Sequence, residues 1–321
     1  MRDGAGGSRA TLLLLALGLT WGGSFLFIKV IVEDVSPMEL VAGRLFFGSL
    51  AVGGFMAWRR IPLRWTPGLA ARVAVMAALA NILPFLLIAW GEEHISSGTA
   101  SVLNSTLPLF AAIFGAAFLA EERFTAARAA GLLVGFCGIL VLTGDDALNV
   151  TDSSVLGQLA VVGAAVCYGA SSTYTRALLR EHDPVSLSAL QLILATALSV
   201  PLVLLLDGVP AYGSMGLDAW FCLLALGLAG TGIAYIVYLW LIEHTGSVRA
   251  SLVTYIIPVI ALALGWLVLG ESIGLNTIAG AALIILGVAS VMRGRAPATV
   301  RRAEDGRGRP VEVAIDATRR A

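Results

Sequence analysis

The chain contains one short residue pattern twice, and the two copies lie 150 positions apart. Residues 90–108 read Trp-x-x-Glu-His, then Ala-Ser, then a proline eight positions after the alanine, and residues 240–258 repeat all of these at the same spacing. Each copy closes one apolar run, crosses a short polar link and opens the next apolar run. One copy alone would mean little, but two copies in the same order at a fixed offset indicate a duplicated structural unit.

The apolar runs around these patterns are long enough to cross a membrane. Apolar residues make up 58 % of the chain and charged residues 13 %, and runs of about 18 to 25 residues recur, each able to span a hydrocarbon core about 30 Å thick. Lipid offers no partner to backbone polar groups, so such runs must be helical. The first run contains no signal-peptidase site and is predicted to be a true span. We therefore predict an all-α polytopic membrane protein with ten transmembrane helices, at 11–32, 38–58, 72–91, 98–119, 127–143, 155–176, 186–206, 219–241, 248–269 and 274–292.

The basic residues are distributed unevenly between the links. If the N-terminus is cytoplasmic, the inner links and the two tails carry 19 of the 21 lysines and arginines, and the outer links carry none. The remaining two, Lys29 and Arg44, lie within spans, while the outer links carry carboxylates such as Glu33, Glu92 and Glu271. This bias predicts a multi-pass protein of the bacterial cytoplasmic (inner) membrane with both termini cytoplasmic.

The duplication extends well beyond the first pattern. Further matches, at offsets of 147 and 149, pair Trp21 with Tyr168, Pro37 with Pro184, Arg44 with Gln191, Glu122 with Glu271, Gly131 with Gly280 and Gly138 with Gly287. Residues 10–144 and 154–292 are thus predicted to be two copies of a five-span unit, followed by a disordered cytoplasmic tail at 293–321. Because five is odd, the second copy enters the membrane from the other side. Such inverted repeats are typical of secondary transporters, whose binding site lies between the repeats near the midplane.

These motifs together resemble the drug/metabolite transporter superfamily, EamA type. The resemblance is carried by Trp21-Gly-x-Ser24 followed by Lys29, by the Pro37…Arg44 start of span 2, by Ala-Ser…Pro in spans 4 and 9, and by a glutamate followed nine residues later by glycine in both halves. It covers the chain apart from the extreme N-terminus and the tail. It implies ten helices, inner termini and export or exchange of small metabolites such as amino acids, nucleosides or drugs. The second half departs from the pattern, since it has glutamine at the position of Arg44.

Lys29 and Arg44 are candidate substrate-pathway residues, because a charge within a span is costly unless it faces a cavity or a partner. One interpretation is structural: Lys29 extends outward and pairs with Glu33 one turn on, and Arg44 binds helix carbonyl groups. The other is functional: the two side chains form a cationic wall for a carboxylate- or phosphate-bearing substrate. On the functional interpretation, Arg44→Gln abolishes transport and leaves expression intact.

Polar and aromatic residues deep in the spans form a second group of candidates. Hydroxyl, amide and amphipathic aromatic side chains suit a pocket that holds and releases a partly polar substrate, although singly such residues can also serve as interhelical hydrogen bonds. As a set they predict a cavity among spans 1, 3, 4, 6, 8 and 9. The candidates are Trp21, Ser24, Asn81, Asn104, Tyr168, Ser171, Gln191, Tyr235, Tyr238, Thr254 and Tyr255.

Prolines and glycines within the spans predict places of bending and of close packing. Pro108 and Pro258 remove backbone hydrogen bonds from spans 4 and 9 and are predicted to kink them, either as hinges or only as shape. Gly131-x-x-x-Gly135 in span 5 permits close helix approach, which we expect within the molecule rather than in a dimer. The chain is therefore expected to be a monomer.

Several kinds of chemistry find no support in the sequence. A phosphate-binding loop is absent, so ATP does not drive this chain directly. The carboxylates all lie at predicted span ends, which leaves uniport, exchange or coupling through a terminal carboxylate such as Glu39, Glu122 or Glu271. The three histidines fall in predicted links without a second ligand nearby, so no metal is expected. We also expect no cofactor and no nucleic-acid partner, only a small-molecule substrate and the lipid bilayer.

We therefore predict a secondary transporter, not an enzyme, that moves a small metabolite or drug by alternating access, and we expect the direction to be export. A lipid-linked sugar flippase of the same fold is the main alternative, and lateral openings to lipid would favour it over a closed polar cavity. An intramembrane hydrolase is less favoured. Glu121-Glu122 invites comparison with paired-glutamate membrane proteases, but these need an arginine where this chain has Ala126, and serine catalysis would need a histidine at membrane depth.

Overall fold

A computed structural model describes residues 3–119, 125–144 and 152–293, together with 300–304 and 310–314. Within this part of the chain, nine helices are long and apolar enough to cross a membrane, and a tenth apolar helix, Val253–Leu269, is shorter. Each of the ten overlaps one of the predicted spans. The prediction of an all-helical membrane region with ten spans is confirmed.

Four of the spans contain an interruption of the regular α-helix. Spans 3 and 8, which are equivalent in the two halves, each contain a π-helical segment, and spans 4 and 9, also equivalent, are each built from two helical pieces. A short 3-10 turn, Tyr212–Ser214, lies between spans 7 and 8. The helices are span 1, Asp3–Ile31; span 2, Pro37–Arg59; span 3, Pro67–Ala77, Ala78–Ile82 and Leu83–His94; span 4, Ser97–Asn104 and Leu107–Phe118; span 5, Ala126–Thr143; span 6, Ser153–Leu178; span 7, Pro184–Leu206; span 8, Leu217–Leu224, Ala225–Ile233 and Ala234–Thr245; span 9, Ser247–Ala250 and Val253–Leu269; and span 10, Leu275–Arg293.

Equivalent residues begin the equivalent helices of the two halves. Ser36 and Asp183, 147 positions apart, are the N-cap residues of spans 2 and 7, and each is followed by a proline in the first turn. A proline is well placed there because its missing N–H would have no intrahelical partner. Ser36 also forms a capping box with Glu39, which satisfies two of the free donors at the start of the helix.

Spans 5 and 10 show directly that the two halves are inverted. Gly131 lies against Gly287, and Gly138 lies against Gly280, so closely that an added Cβ would meet the facing carbonyl oxygen at 2.8 Å and 2.9 Å respectively. Residue numbers rise along one helix as they fall along the other, so these equivalent helices run antiparallel. The predicted inverted repeat is confirmed, and the predicted close approach of span 5 occurs within the molecule.

Spans 2 and 7 form a second pair with the same symmetry. The backbone N–H of Ala211 donates to Glu39 Oε1 at 2.6 Å, and the backbone N–H of Arg64 donates to Ser186 Oγ at 3.0 Å. At the offset of 147, the acceptor Glu39 is equivalent to the acceptor Ser186, and the donor Arg64 is equivalent to the donor Ala211. A two-fold rotation therefore places each bond on the other. One bond lies at each end of the bundle. We call the end where span 1 begins and span 10 ends the termini end, and the other the opposite end.

Two short strands occur in the C-terminal tail, where the sequence predicts disorder. Strand β1, Val300–Glu304, pairs antiparallel with strand β2, Pro310–Ala314. Valine, which occurs in both strands, favours extended backbone. The remaining residues of the tail lie outside the described part of the chain, and for them disorder stays a prediction.

Candidate functional site

A cavity of about 280 Å³ lies between the two halves. Its lining comes from spans 1, 2, 3 and 4 of the first half and from spans 6, 8 and 9 of the second. This is the set of spans that the sequence predicts, with span 2 added. Eight of the thirteen candidate substrate-pathway residues line it: Trp21, Ser24, Arg44, Asn104, Tyr168, Tyr235, Tyr238 and Thr254.

The wall of this cavity follows the two-fold symmetry of the repeat. Five pairs of equivalent positions line it from both sides, namely Trp21 with Tyr168, Phe85 with Tyr235, Ile88 with Tyr238, Asn104 with Thr254, and Leu107 with Ile257. Sequence reasoning missed the apolar members, because a single Phe or Ile in a span carries no signal of function. The repeat itself could have found Phe85 and Ile88, since their partners are tyrosines already selected as candidates.

Arg44 carries the positive charge of the cavity wall. Its side chain is buried, with 6 % of its surface exposed. Its Nε donates to Thr231 Oγ1 at 2.9 Å, and its Cζ lies 3.6 Å from the centre of the Phe85 ring. The prediction that Arg44 binds helix carbonyl groups is therefore wrong, because its acceptor is a side-chain hydroxyl in the π-helical segment of span 8.

A neutral copy of this contact occurs in the other half. Gln191, which is equivalent to Arg44, donates through Nε2 to Asn81 Oδ1, and Asn81 is equivalent to Thr231. Asn81 in turn donates to the hydroxyl of Tyr235 at 3.2 Å. Gln191 and Asn81 are buried and do not line the cavity, so they reach it only through Tyr235.

Lys29 does not share the cavity with Arg44. Its Nζ donates to the carbonyl oxygen of Glu92, and to that of Ile95 at 3.1 Å. These carbonyls belong to the end of span 3, where the last turn of a helix lacks intrahelical donors. The predicted pairing with Glu33 and the predicted cationic wall of two residues are both wrong. Lys29 instead ties the end of span 1 to the end of span 3.

Glu92 also differs from its prediction as a residue of an outer link. The last helix of span 3 continues to His94, which places Glu92 inside the helix with none of its surface exposed. Among the described residues, neither carboxylate oxygen of Glu92 has a hydrogen-bond partner. The helix ends with the imidazole of His94 against the carbonyl of Trp90 at 2.9 Å, and His244 repeats this contact in the second half. The duplicated pattern thus forms the same helix ending twice.

Arg128 is likewise buried rather than in a link. It lies in the first turn of span 5, with 5 % of its surface exposed. The N-cap is Thr125 and the helix begins at Ala126, so Arg128 is part of the helix and lies inside the bundle. Glu121 and Glu122, the latter a candidate for coupling, lie outside the described residues.

The remaining candidates lie around the cavity. Ser171 is buried but does not line it, although its equivalent Ser24 does. The hydroxyl of Tyr255 donates to Met292 Sδ at 3.2 Å and so contacts span 10. Pro108 lies in the first turn of the second piece of span 4, and Pro258 lies within the longer helix of span 9. Their role as hinges stays a prediction.

At the opposite end, hydrogen bonds between the two halves close the bundle. Glu271, after span 9, accepts from the backbone N–H of Ser97 at 2.7 Å, from its hydroxyl at 3.0 Å, and from the N–H of Gly98 at 3.2 Å. Outside the spans, Tyr212 donates to the carbonyl of Glu39 at 2.7 Å, and burial raises the pKa of its hydroxyl to about 12, so the donor keeps its proton at neutral pH. The bonds of Glu271 thus hold the first turn of span 4 to the second half.

Toward the termini end, a second and smaller cavity of about 160 Å³ adjoins the first. The two share the lining residues Leu107, Tyr238 and Thr254. The smaller one extends to Arg128 at the start of span 5 and to Met292 at the end of span 10. The open volume between the halves therefore continues toward the termini end, whereas hydrogen bonds close the opposite end.

The bonds of Lys29 predict a structural role that can be separated from substrate binding. In Lys29→Met, two buried carbonyls at the end of span 3 lose their donor. A lost hydrogen bond to a charged group costs about 1.5–3 kcal/mol, so we expect a lower melting temperature in detergent and an unchanged ligand affinity. Glu33→Gln, which removes the exposed carboxylate one turn on, serves as the control and should change neither. A wild-type melting temperature for Lys29→Met would contradict this assignment.

Comparison with known proteins adds independent information. A model of the EamA-like transporter family matches residues 8–144 and 155–293. The chain is 27 % identical over 275 residues to the uncharacterized transporter YoaV of Bacillus subtilis (strain 168), covering 86 % of this chain and 94 % of that protein. It is 30 % identical over 291 residues to an uncharacterized transporter of Archaeoglobus fulgidus, covering 88 % and 99 %.

Two further matches are a named exporter and a solved structure. A protein of Streptantibioticus cattleyicolor named as a probable terminal-alkyne amino-acid exporter is 27 % identical over 291 residues, covering 89 % of this chain and 94 % of its own. A solved crystal structure matches with a TM-score of 0.63 at 23 % identity, over 88 % of this chain and 97 % of the other. At that identity the likeness supports the fold alone.

Proposed function

Because the chain belongs to the EamA-like transporter family, we propose that it is a secondary transporter that exports a small, partly apolar metabolite by alternating access. It is a transporter rather than an enzyme. The observation that carries the proposal is the cavity between the inverted halves, whose wall is built from equivalent positions of both. A site shared by two inverted repeats can face either side of the membrane as the repeats rock against each other.

The asymmetry between the two ends of the bundle supports such a cycle. The opposite end is closed by bonds between the two halves, which Glu271 accepts from the start of span 4 and Tyr212 donates to the carbonyl of Glu39. The open volume continues toward the termini end. We assign this structure to the state in which the site is reached from the termini end, and the reverse state would break these bonds.

The direction and the membrane are inferred from charge and from the relatives. The predicted links at the termini end hold the arginines, which favours cytoplasmic termini in the bacterial cytoplasmic membrane. In that orientation the site of this structure faces the cytoplasm, where an exporter takes up its substrate. One relative is named as a probable terminal-alkyne amino-acid exporter, and a small cavity lined by aromatic and hydroxyl side chains suits a molecule of that size.

A flippase for lipid-linked sugars is the second candidate. One observation bears on it: a separate apolar cavity of about 330 Å³ lies between spans 2, 7 and 8. Phe46 and Leu204 line it and are exposed on the outside of the bundle, where an acyl chain could lie. It shares no lining residue with the central cavity, however, so we favour a soluble metabolite.

Transport by the reconstituted protein tests the proposal. Uptake into proteoliposomes is measured for amino acids, nucleosides and cationic drugs, with and without a pH gradient. Thr254→Trp, which places an indole where the two cavities join, should abolish uptake of the active substrate. Val259→Trp, on the exposed side of the same span, should leave uptake unchanged. Movement of a lipid-linked sugar without uptake of any soluble compound would favour the flippase.

A further inference from the structure

We infer that the central cavity binds an organic monocarboxylate, with the carboxylate group on Arg44 and the apolar body against the aromatic wall. This inference depends on the proposed function, since it names the substrate class for the same cavity. It is carried by the guanidinium of Arg44, which is buried, lines the cavity and has no carboxylate within ion-pair distance in the part of the chain that the structure describes.

Among the described residues, the charge of Arg44 is met only by the ring of Phe85 and, from beyond ion-pair distance, by the buried Glu92. No carboxylate lies within ion-pair distance of it, and its one hydrogen bond is the bond from Nε to Thr231. The Nη groups, which donate four of the five guanidinium hydrogens, therefore have no protein acceptor there. A cation–π contact and a more distant acidic group offset only part of the cost of burying a charge. An anionic ligand that enters the cavity would remove this cost, which gives the site its preference for negative charge.

The other half of the molecule shows that the fold does not need this charge. At the equivalent position, Gln191 makes the equivalent contact to Asn81 with a neutral amide. Both contacts join the first half of one span to the π-helical segment of another, in span 8 for Arg44 and in span 3 for Gln191. A glutamine therefore satisfies this hydrogen-bonded arrangement, and the arginine adds a charge, a contact with the Phe85 ring and free donors at the cavity wall.

The geometry of the free donors selects a carboxylate. A guanidinium presents parallel N–H groups that match the two oxygens of a carboxylate. The single positive charge balances one negative charge, so a phosphate dianion would be left partly uncompensated. No acidic side chain among the described residues lines the cavity, so a cationic drug would meet Arg44 without an acidic group at the wall to neutralise it.

The apolar lining of the cavity limits the size and character of the rest of the substrate, beyond its carboxylate. Trp21, Tyr168 and Phe85 present ring surfaces, and Phe25 and Ile28 add apolar contacts. At about 280 Å³, the volume lies just below the usual range for small-molecule sites. The cavity therefore suits a compact acid with one aromatic or branched apolar group. An apolar amino acid belongs to this class, because it carries the same carboxylate.

Binding to purified protein tests the inference with probes that share one phenyl body. The probes are 3-phenylpropionate, phenylalanine, 3-phenylpropanol, phenethylamine and phenyl phosphate, and calorimetry or tryptophan fluorescence gives the affinity. We expect the wild type to bind 3-phenylpropionate about tenfold to a hundredfold more tightly than the alcohol, as a charge-assisted hydrogen bond would give. Phenethylamine should bind more weakly still.

The matched variants copy the second half of the protein into the first. Arg44→Gln, alone or with Thr231→Asn, should keep the melting temperature within a few degrees of wild type while the preference for the acid over the alcohol is lost. Arg44→Lys should keep part of the preference, since it keeps the charge but not the parallel donors.

Three outcomes would overturn the inference. They are equal binding of acid and alcohol by the wild type, an unchanged preference in Arg44→Gln, and failure of every acid probe to bind. A preference for phenyl phosphate that is lost in Arg44→Gln would replace the carboxylate by a phosphate ester. If one of these three outcomes is found and the proteoliposomes still take up a neutral or cationic compound, the protein is a transporter and only the proposed substrate class is refuted.

Discussion

The substitution Gly138→Leu should prevent the protein from folding. An added Cβ at Gly138 would lie 2.8 Å from the backbone nitrogen of Ile284 and 2.9 Å from the carbonyl oxygen of Gly280. Backbone atoms of a neighbouring helix cannot move aside as a flexible side chain can, and spans 5 and 10 would have to separate along their contact. Helices in membranes associate largely through such close approach of small residues. Losing it would remove a large share of a stability of about 5–15 kcal/mol.

The measurement is the yield of monodisperse protein by size-exclusion chromatography of detergent extracts. Gly287→Leu, at the equivalent position of the second half, should fail in the same way, because an added Cβ there meets the backbone of span 5. Gly54→Leu in span 2 is the control, since no atom lies within 4 Å of its added Cβ. A normal yield of Gly138→Leu with a wild-type melting temperature would contradict the packing described for spans 5 and 10.

A covalent link between Ser97 and Glu271 should stop transport completely. Their side chains meet at 3.0 Å, and this contact joins the start of span 4 to the end of span 9 at the closed end of the bundle. If substrate leaves by opening that end, a link across it holds the site in the state of this structure. We therefore expect Ser97→Cys/Glu271→Cys, treated with a short thiol-reactive cross-linker, to show only the background uptake of empty liposomes.

The native thiols of Cys137, Cys167 and Cys222 are first replaced by alanine, so that the reagent reacts only at the introduced pair. Each single-cysteine variant, treated in the same way, separates the effect of the link from the effect of losing Glu271. Reduction of a cleavable linker should restore transport. Ligand binding to the linked protein should persist, because the cavity remains accessible from the termini end. Full transport by the linked protein would exclude alternating opening at this end.

The architecture could be predicted because two independent signals in the sequence agree. Hydropathy located the ten spans, and the repeat fixed their pairing, since an odd number of spans per copy requires inversion. The structure then places the equivalent residues Gly131 and Gly280 on helices that run in opposite directions. Membrane proteins favour this kind of prediction, because lipid restricts backbone to helices and leaves few alternatives.

The contacts of the charged residues could not be predicted in the same way. Lys29 binds carbonyls of a span far away in sequence, and a pattern of nearby residues points instead to Glu33. Glu92 appeared to belong to a polar link, but the helix of span 3 continues past the apolar run to His94. Both errors have one physical cause. Hydropathy indicates which residues lie in the membrane, but it does not indicate the partner of a charge, because that partner depends on packing between spans.

The cavity was predicted in part. The spans around it follow from the repeat, and eight of its lining residues follow from polar or aromatic character within a span. Its apolar lining could not be distinguished from residues that face lipid. In the sequence, Arg44 and Gln191 are only a mismatch between the two halves. In the structure they make equivalent contacts, and the difference in charge between them is the basis of the proposed substrate class.

Labelling from the two sides of the membrane tests the inverted duplication most directly. Arg60 and Asp207 are equivalent positions at an offset of 147, and both are exposed just after the ends of spans 2 and 7. In a background without other cysteines, Arg60→Cys and Asp207→Cys are each treated with a membrane-impermeant maleimide in right-side-out and in inside-out vesicles. We expect the two positions to react from opposite sides. Reaction of both from the same side would contradict the inverted architecture and the shared cavity that follows from it.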